Sequence, residues 1–150
     1  MKLQFSGSPE IAADRERVWQ RLMDPHFVAQ SAPGVESVEI IDPTHFRVAS
    51  SFGAGSMRIR FPIDVEIFDI VPGRRARIRV RGKAPGSTVN VVSSIEIQDA
   101  GQPGTVRLNW SATSDFNGTV AGIGGRLVEA AARKLTEQFW TDFARRVTSE

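Results

Sequence analysis

The chain has 150 residues, a formal net charge of +2 and no cysteine. A chain of this length buries roughly 68–70% of its unfolded surface in one core, so we expect a single domain over residues 1–150. The lack of cysteine excludes disulfides, thiolate zinc sites and a cysteine nucleophile. The nearly balanced charge argues against nucleic acid as a partner, because nucleic-acid binders carry a stronger basic imbalance.

No apolar run approaches the roughly 20 residues that a membrane-spanning helix needs. Residues 2–10 alternate like a strand and lack the apolar core of a signal peptide. We therefore expect a cytoplasmic protein.

The first thirty residues predict one strand and a pair of short helices. Alternation over 2–10 predicts the strand. Asp14 is placed to cap a helix over 15–23, which the Asp-Pro pair at 24–25 ends. Residues 26–30 predict one further helical turn.

The middle of the chain predicts only strands. Six segments alternate apolar and polar residues and are separated by turn residues; they lie at 35–41, 45–52, 57–67, 75–81, 88–98 and 105–116. If the hairpin closes around Pro72-Gly73, Glu66 falls opposite Arg79 and Asp64 opposite Arg81, which would fix the register.

Residues 118–147 predict one long helix. Its apolar residues recur at every fourth position: Leu127, Ala131, Leu135, Phe139, Phe143 and Val147. That spacing drifts by roughly 40° per step, so the stripe winds around the helix as it would across a twisted sheet. The predicted fold is α+β, a curled antiparallel sheet of about six to seven strands wrapped around this C-terminal helix. Two short helices follow the first strand, and an apolar cavity is left between sheet and helix.

Bulky apolar residues on the predicted inner faces are the candidates for the cavity lining. They are Trp19, Met23, Phe27, Phe46, Phe61, Ile63, Ile78, Trp110, Leu127, Leu135 and Phe139. Such a lining holds a ring-bearing ligand by stacking and apolar burial. Ser93 is a polar candidate on the inner face, whereas Asn109 and Ser50 are expected to face outward.

The sequence predicts neither a metal, a cofactor nor a catalytic residue. His26 and His45 are far apart and lack further ligands, whereas a metal site needs three or four that converge. No nucleophile with an adjacent base is visible.

A glycine-rich segment precedes the predicted helix, with Gly118, Gly122, Gly124 and Gly125. Its spacing fits neither of the glycine-rich nucleotide-binding motifs. Two interpretations stay open: close approach of the helix start to the sheet, where a Cβ would clash, or a portal that opens the cavity.

A stripe of arginines is predicted on the outer sheet face: Arg58, Arg60, Arg75, Arg77, Arg79 and Arg81. One interpretation is a solvated face partly paired with Asp64 and Glu66. The other is contact with anionic lipid headgroups or with an acidic protein.

Three stretches carry a resemblance that spans the chain in order. They are VWQRLMDP at 18–25, APGV at 32–35, and a segment from 116 to 140 that begins FNG and continues through AGIGGRL and AAARKL to FW. The chain resembles the helix-grip superfamily of lipid-transfer, polyketide-cyclase and pollen-allergen-like proteins. Within it, the chain is similar to the G-subunit family of carbon monoxide dehydrogenase.

This resemblance implies an accessory protein of a molybdenum hydroxylase such as CO dehydrogenase, acting in maturation, membrane attachment or quinone handling. The expected function is non-catalytic binding of a hydrophobic ligand, a quinone or a lipid. Two alternatives stay open. One is a cyclase or hydrolase on the same scaffold, which needs titratable groups in the cavity. The other is an assembly or tethering factor whose arginines contact the inner face of the membrane.

Overall fold

The computed structural model describes residues 1–32, 34–54, 57–84, 86–118 and 125–150. The side chains of 52–54, 57–59, 84 and 125–128 are not described. Within these ranges the chain forms one antiparallel sheet with helices on one face.

The eight strands are β1 (Lys2–Gly7), β2 (Glu10–Ile11), β3 (Val35–Asp42), β4 (His45–Ala54), β5 (Met57–Val71), β6 (Arg75–Ala84), β7 (Ser87–Asp99) and β8 (Val106–Gly118). The helices are α1 (Arg15–Leu22), α2 (Pro25–Ser31) and α3 (Gly125–Thr148). The strand order is β1-β8-β7-β6-β5-β4-β3, and β2 also pairs with β8. The first strand of the chain thus pairs with the last, and the others follow as a meander.

The predicted fold class is confirmed, including two short helices after the first strand. Asp14 caps α1 by accepting a hydrogen bond from the Arg17 backbone N–H at 2.8 Å. The hairpin register is also as predicted, because Glu66 lies opposite Arg79 and Asp64 opposite Arg81.

The predicted start of the long helix at Gly118 is wrong. Gly118 is the last residue of β8, and α3 begins at Gly125. Gly118 has φ +84°, and a Cβ there would collide with the carbonyl oxygen of Gly86. Glycine is a poor helix former, so the glycine-rich segment should have been excluded from the helix. With 24 residues, α3 is about 36 Å long.

The inner face of the sheet carries two separate groups of buried residues. One lies under α1, α2 and the C-terminal end of α3, and it includes Val18, Leu108 and Phe143. The other lies on β4 to β6 and includes Phe46 and Ile67. The two are bridged by half-buried side chains rather than by a continuous core.

Burial along α3 is graded from one end to the other. Phe143 and Val147 are fully buried, whereas Leu135 is 37% exposed. Nearer the start, the Arg133 guanidinium lies 5.2 Å from the centre of the Phe5 ring, and Ala131 is exposed. The C-terminal end of the helix therefore anchors it, whereas the described apolar side chains nearer the middle of the helix are less buried.

This gradient predicts unequal costs of truncation on one helix face. Phe143→Ala should lower the free energy of unfolding by about 3–5 kcal/mol, because it opens a cavity in the core. Leu135→Ala should cost less than about 1 kcal/mol, since that side chain is 37% exposed and borders a cavity rather than the packed core. Urea unfolding of both variants measures this, and equal costs would contradict anchoring at one end.

Candidate functional site

A cavity of about 370 Å³ lies between the inner face of the sheet and the helices α2 and α3. The sheet contributes Val35, Phe46, Val48, Ser50, Ile63, Val65, Ile67, Ile78, Val80, Val91, Ser93, Ile95, Trp110 and Ala112. The helices contribute Leu22, Val28, Ala29, Leu135, Thr136, Phe139 and Trp140, and Ala32 follows α2. The volume is at the small end of the range for ligand pockets, which is roughly 300–1,000 Å³.

The lining is almost wholly apolar. Its polar groups are the hydroxyls of Ser50, Ser93 and Thr136 and the indole N–H groups of Trp110 and Trp140, and no ionisable side chain is among the lining residues named above. Thr136 donates to the Ala132 carbonyl at 2.7 Å and Ser93 to the Ser111 carbonyl at 3.0 Å. A site of this kind favours burial of an apolar molecule and offers no group for proton transfer.

Aromatic rings form the wall beneath the middle of α3. The rings of Trp110 and Trp140 are stacked, with centroids 5.8 Å apart and planes 24° apart. Phe139 meets Trp140 edge-to-face at 4.9 Å. Rings fixed in this way present flat and edge surfaces against which a second ring system can pack.

Six of the residues proposed from the sequence lie in this lining: Phe46, Ile63, Ile78, Trp110, Leu135 and Phe139. Trp19 and Met23 instead pack against both core groups. Phe27 is buried in the first group, edge-to-face with Phe143 at 5.5 Å. Phe61 is half-buried and not in the lining, and the side chain of Leu127 is outside the described ones.

Sequence reasoning missed the valines at the centre of the sheet and the contribution of α2. Val65, Val80 and Val91 occupy inner positions that the alternation had already marked as apolar, but only bulky residues were proposed. Ser50 is a correction: it was expected to face outward, yet it shares the inner face with Val48 and lines the cavity. Strand alternation places every second residue on one face whatever its polarity.

The glycine interpretations are tested only in part. Gly118 does make a close backbone approach, to Gly86 on the turn between β6 and β7 rather than between helix and sheet. Gly122 and Gly124 lie outside the described residues, and Gly125 is the first residue of α3. The portal interpretation stays a prediction.

Three of the six arginines of the stripe are paired with carboxylates. Ion pairs join Arg60 to Glu36 at 3.3 Å, Arg77 to Asp69 at 3.4 Å and Arg79 to Glu66 at 3.6 Å. Both Arg77 and Arg79 also lie over the ring of Phe68, at 5.0 and 4.6 Å from its centre. The pairing reduces the positive potential that this face presents.

The remaining arginines of the stripe differ from these. Arg75 and Arg81 are exposed and make no ion pair with the described residues, and the side chain of Arg58 is not described. Asp64 lies opposite Arg81 but bonds Arg47 at 2.8 Å. That hydrogen bond and the charge of Asp64 raise the pKa of Arg47 above its usual value. Far from the cavity, the backbone N–H of Thr44 lowers the pKa of Asp42.

Arg146 on α3 forms hydrogen bonds to α2, which is part of the cavity wall. Its guanidinium donates to the Phe27 carbonyl at 2.8 Å, to the Ser31 hydroxyl at 2.6 Å and to the Gln30 side chain at 2.8 Å. It also lies 4.0 Å from the centre of the Phe27 ring. Because all three charge-assisted hydrogen bonds come from one planar guanidinium on α3, they fix the position of α2 relative to α3.

The described residues contain no cluster of three or more His, Asp or Glu residues able to hold a metal ion. Nor does this part of the chain form a helix that combines the length and apolar character required to cross a membrane.

A curled antiparallel sheet, a C-terminal helix across it and a cavity between them define a helix-grip protein of the START type. The profile of the carbon monoxide dehydrogenase G-subunit family, CoxG, matches residues 7–148, and the chain belongs to that family. No curated protein matches the sequence.

Solved structures show the same fold. A conserved protein from Geobacillus kaustophilus is 24% identical with a TM-score of 0.88, and the match covers 98% of this chain and 96% of that one. A START superfamily protein from Mycobacterium smegmatis is 16% identical with a TM-score of 0.72, covering 97% of each chain. At these identities the likeness concerns the fold alone.

Because Arg146 contacts α2, we expect the loss of its side chain to destabilise the protein, whereas loss of the neighbouring Arg145 side chain should have little effect. Arg146→Ala should lower the free energy of unfolding by about 2 kcal/mol, because hydrogen bonds to a charged group are lost. Arg145→Ala is the control and should change it by less than about 0.5 kcal/mol, since Arg145 forms only an exposed pair with Asp142. Denaturant unfolding of the two variants gives both values, and similar losses would contradict the role assigned to Arg146.

Proposed function

We propose that the protein is a non-catalytic carrier that holds a small hydrophobic molecule, a quinone or a lipid, for a molybdenum hydroxylase of the CO dehydrogenase type. The observation that carries this proposal is the cavity of about 370 Å³ whose lining residues bear no ionisable group. Burial in such a site is favourable by roughly 25 cal/mol per Å² of apolar surface removed from water. The membership of the family supports the partner.

The cavity lining favours the carrier over an enzyme on the same scaffold. A cyclase or hydrolase needs a general acid or base within hydrogen-bond reach of its substrate. The described lining offers three hydroxyls and two indole N–H groups but no ionisable group, and the hydroxyls of Ser93 and Thr136 donate to backbone carbonyls. The carrier needs only to shield its cargo from water.

The paired arginines favour the carrier over a purely electrostatic tether. Arg60, Arg77 and Arg79 each contact a carboxylate, so half of the six arginines are neutralised and the charge available to attract anionic lipid is reduced. We place the protein in the cytoplasm, with contact at the inner face of the membrane limited to the exchange of an apolar cargo. Salt-sensitive co-sedimentation with anionic liposomes that is lost in Arg77→Glu and Arg79→Glu would favour the tether instead.

Ligand binding should be abolished by filling the cavity. Val80→Phe places a ring between Val65 and Val91 on the cavity wall, because these residues lie opposite one another in the register. Val92→Phe is the matched control, since Val92 lies on the outer face opposite Arg79. Added menadione should quench the fluorescence of Trp110 and Trp140 in the wild type and in Val92→Phe, but at least tenfold less efficiently in Val80→Phe.

Absence of quenching in the wild type, together with no extractable apolar compound in protein purified without detergent, would contradict the carrier. Equal quenching in both variants would place the quinone outside the cavity. The chain contains no cysteine, so the quinone forms no thiol adduct that would imitate binding.

The proposed partner requires a separate test in the source organism. Deletion of the gene should lower quinone-linked turnover of the molybdenum hydroxylase in membranes. Turnover of the same enzyme with a soluble dye as electron acceptor should be unchanged, because a carrier acts after the chemistry. Loss of both activities would indicate a role in maturation of the enzyme.

A further inference from the structure

Ser50 interrupts the apolar inner face of β4. The inner positions before it are Phe46 and Val48, both buried, and Ser50 itself is only 5% exposed. Its neighbours across the sheet are Val35 on β3 and Phe61 on β5, which are both apolar. A hydroxyl therefore occupies an inner position of β4 at which the alternation of the strand predicts an apolar side chain.

The Ser50 hydroxyl has no hydrogen-bond partner among the described residues, whereas the other two hydroxyls of the lining donate to backbone carbonyls. Ser50 lines the cavity, so a ligand in the cavity can reach this hydroxyl. A hydroxyl carries one O–H donor, and a donor that a bound ligand shields from water without pairing it costs free energy, so an acceptor on the ligand would complete the site.

We infer that Ser50 donates a hydrogen bond to a carbonyl oxygen of the ligand, and that the cavity selects apolar molecules that carry such an acceptor over pure hydrocarbons. This inference rests on the proposed carrier function. The bond is favourable in this position because the cross-strand neighbours of Ser50 are apolar, and a hydrogen bond is electrostatically stronger in such surroundings than in water. A hydrocarbon that displaces water from Ser50 leaves the donor unpaired and binds less tightly.

A carbonyl acceptor is present both in a ring ketone and in a fatty ester. The aromatic wall formed by Trp110, Phe139 and Trp140 suits the ring, and the aliphatic wall suits the chain. Two pairs of probes distinguish these sources, menadione with methylnaphthalene and methyl octanoate with nonane. Within each pair the apolar body is similar and the carbonyl is present in only one member.

The test compares the dissociation constants of these probes for the wild type and for Ser50→Ala. The variant should bind the carbonyl probe roughly five- to tenfold more weakly, which is the range expected for one hydrogen bond. The hydrocarbon of the same pair should bind equally or slightly more tightly. The pair that shows this difference identifies the carbonyl as that of a ring or of an ester.

Ser51→Ala is the matched control. Ser51 is the next residue of β4, is 7% exposed, and its hydroxyl is buried without a partner, but it lies on the opposite face, across from Arg60. Its removal should leave every dissociation constant unchanged. If Ser50→Ala weakens the carbonyl probe and hydrocarbon equally, or changes neither, the inference is wrong while the carrier stands. If no probe binds the wild type, the carrier itself fails.

Discussion

The attachment of one helix by one end is the constraint on which the rest of the structure depends. A sheet of eight strands presents more apolar surface than a single long helix covers. The C-terminal end of α3 buries the side chains of Phe143 and Val147 completely, and its Arg146 forms hydrogen bonds to α2. The apolar sheet surface beneath the middle of the helix then borders the cavity, together with Leu135, Thr136, Phe139 and Trp140 of the helix itself.

The polar groups of the molecule are divided between two faces of the sheet. On the outer face, arginines and carboxylates alternate across strands and lie in pairs, as in Arg79 with Glu66. On the inner face, the described lining carries hydroxyls but no charges. This division keeps ionisable groups out of the described lining and leaves an apolar surface on which a hydrophobic molecule can be buried.

Strand periodicity made much of the fold predictable from the sequence. The turn residues Pro72-Gly73 together with alternation predicted Glu66 opposite Arg79. The observed ladder has this pairing, with a register shift between Phe68 and Val71 on the way from the turn. The long helix was harder to delimit. Its apolar residues were recognised, yet the preceding glycines were counted as helical although Gly118 takes a backbone conformation that only glycine adopts easily.

The residues that line the cavity were less predictable from the sequence than the fold. Bulky residues were proposed as lining, but the places where a cavity persists are set by what the helices fail to cover. Trp19 and Phe27 are therefore core, whereas the small side chains of Val80 and Val91 line the space. Ser50 was assigned to the wrong face because polarity was given more weight than position. Periodicity predicts on which face of the sheet a side chain lies. Only the packed tertiary structure determines whether other side chains fill the space above that face.

The separation of the anchored end of α3 from the cavity has an evolutionary consequence. The residues that hold the helix, such as Phe143 and Arg146, are not in the cavity lining, and the valines in the lining are not in the anchored core, with the exception of Val28, which packs against its edge. An exchange of valine for alanine, isoleucine or leucine in the sheet wall alters the shape of the space by a methyl group or two and leaves the anchor untouched. The shape of the space can therefore change by single substitutions whose stability costs fall on the sheet wall rather than on the contacts that anchor the helix.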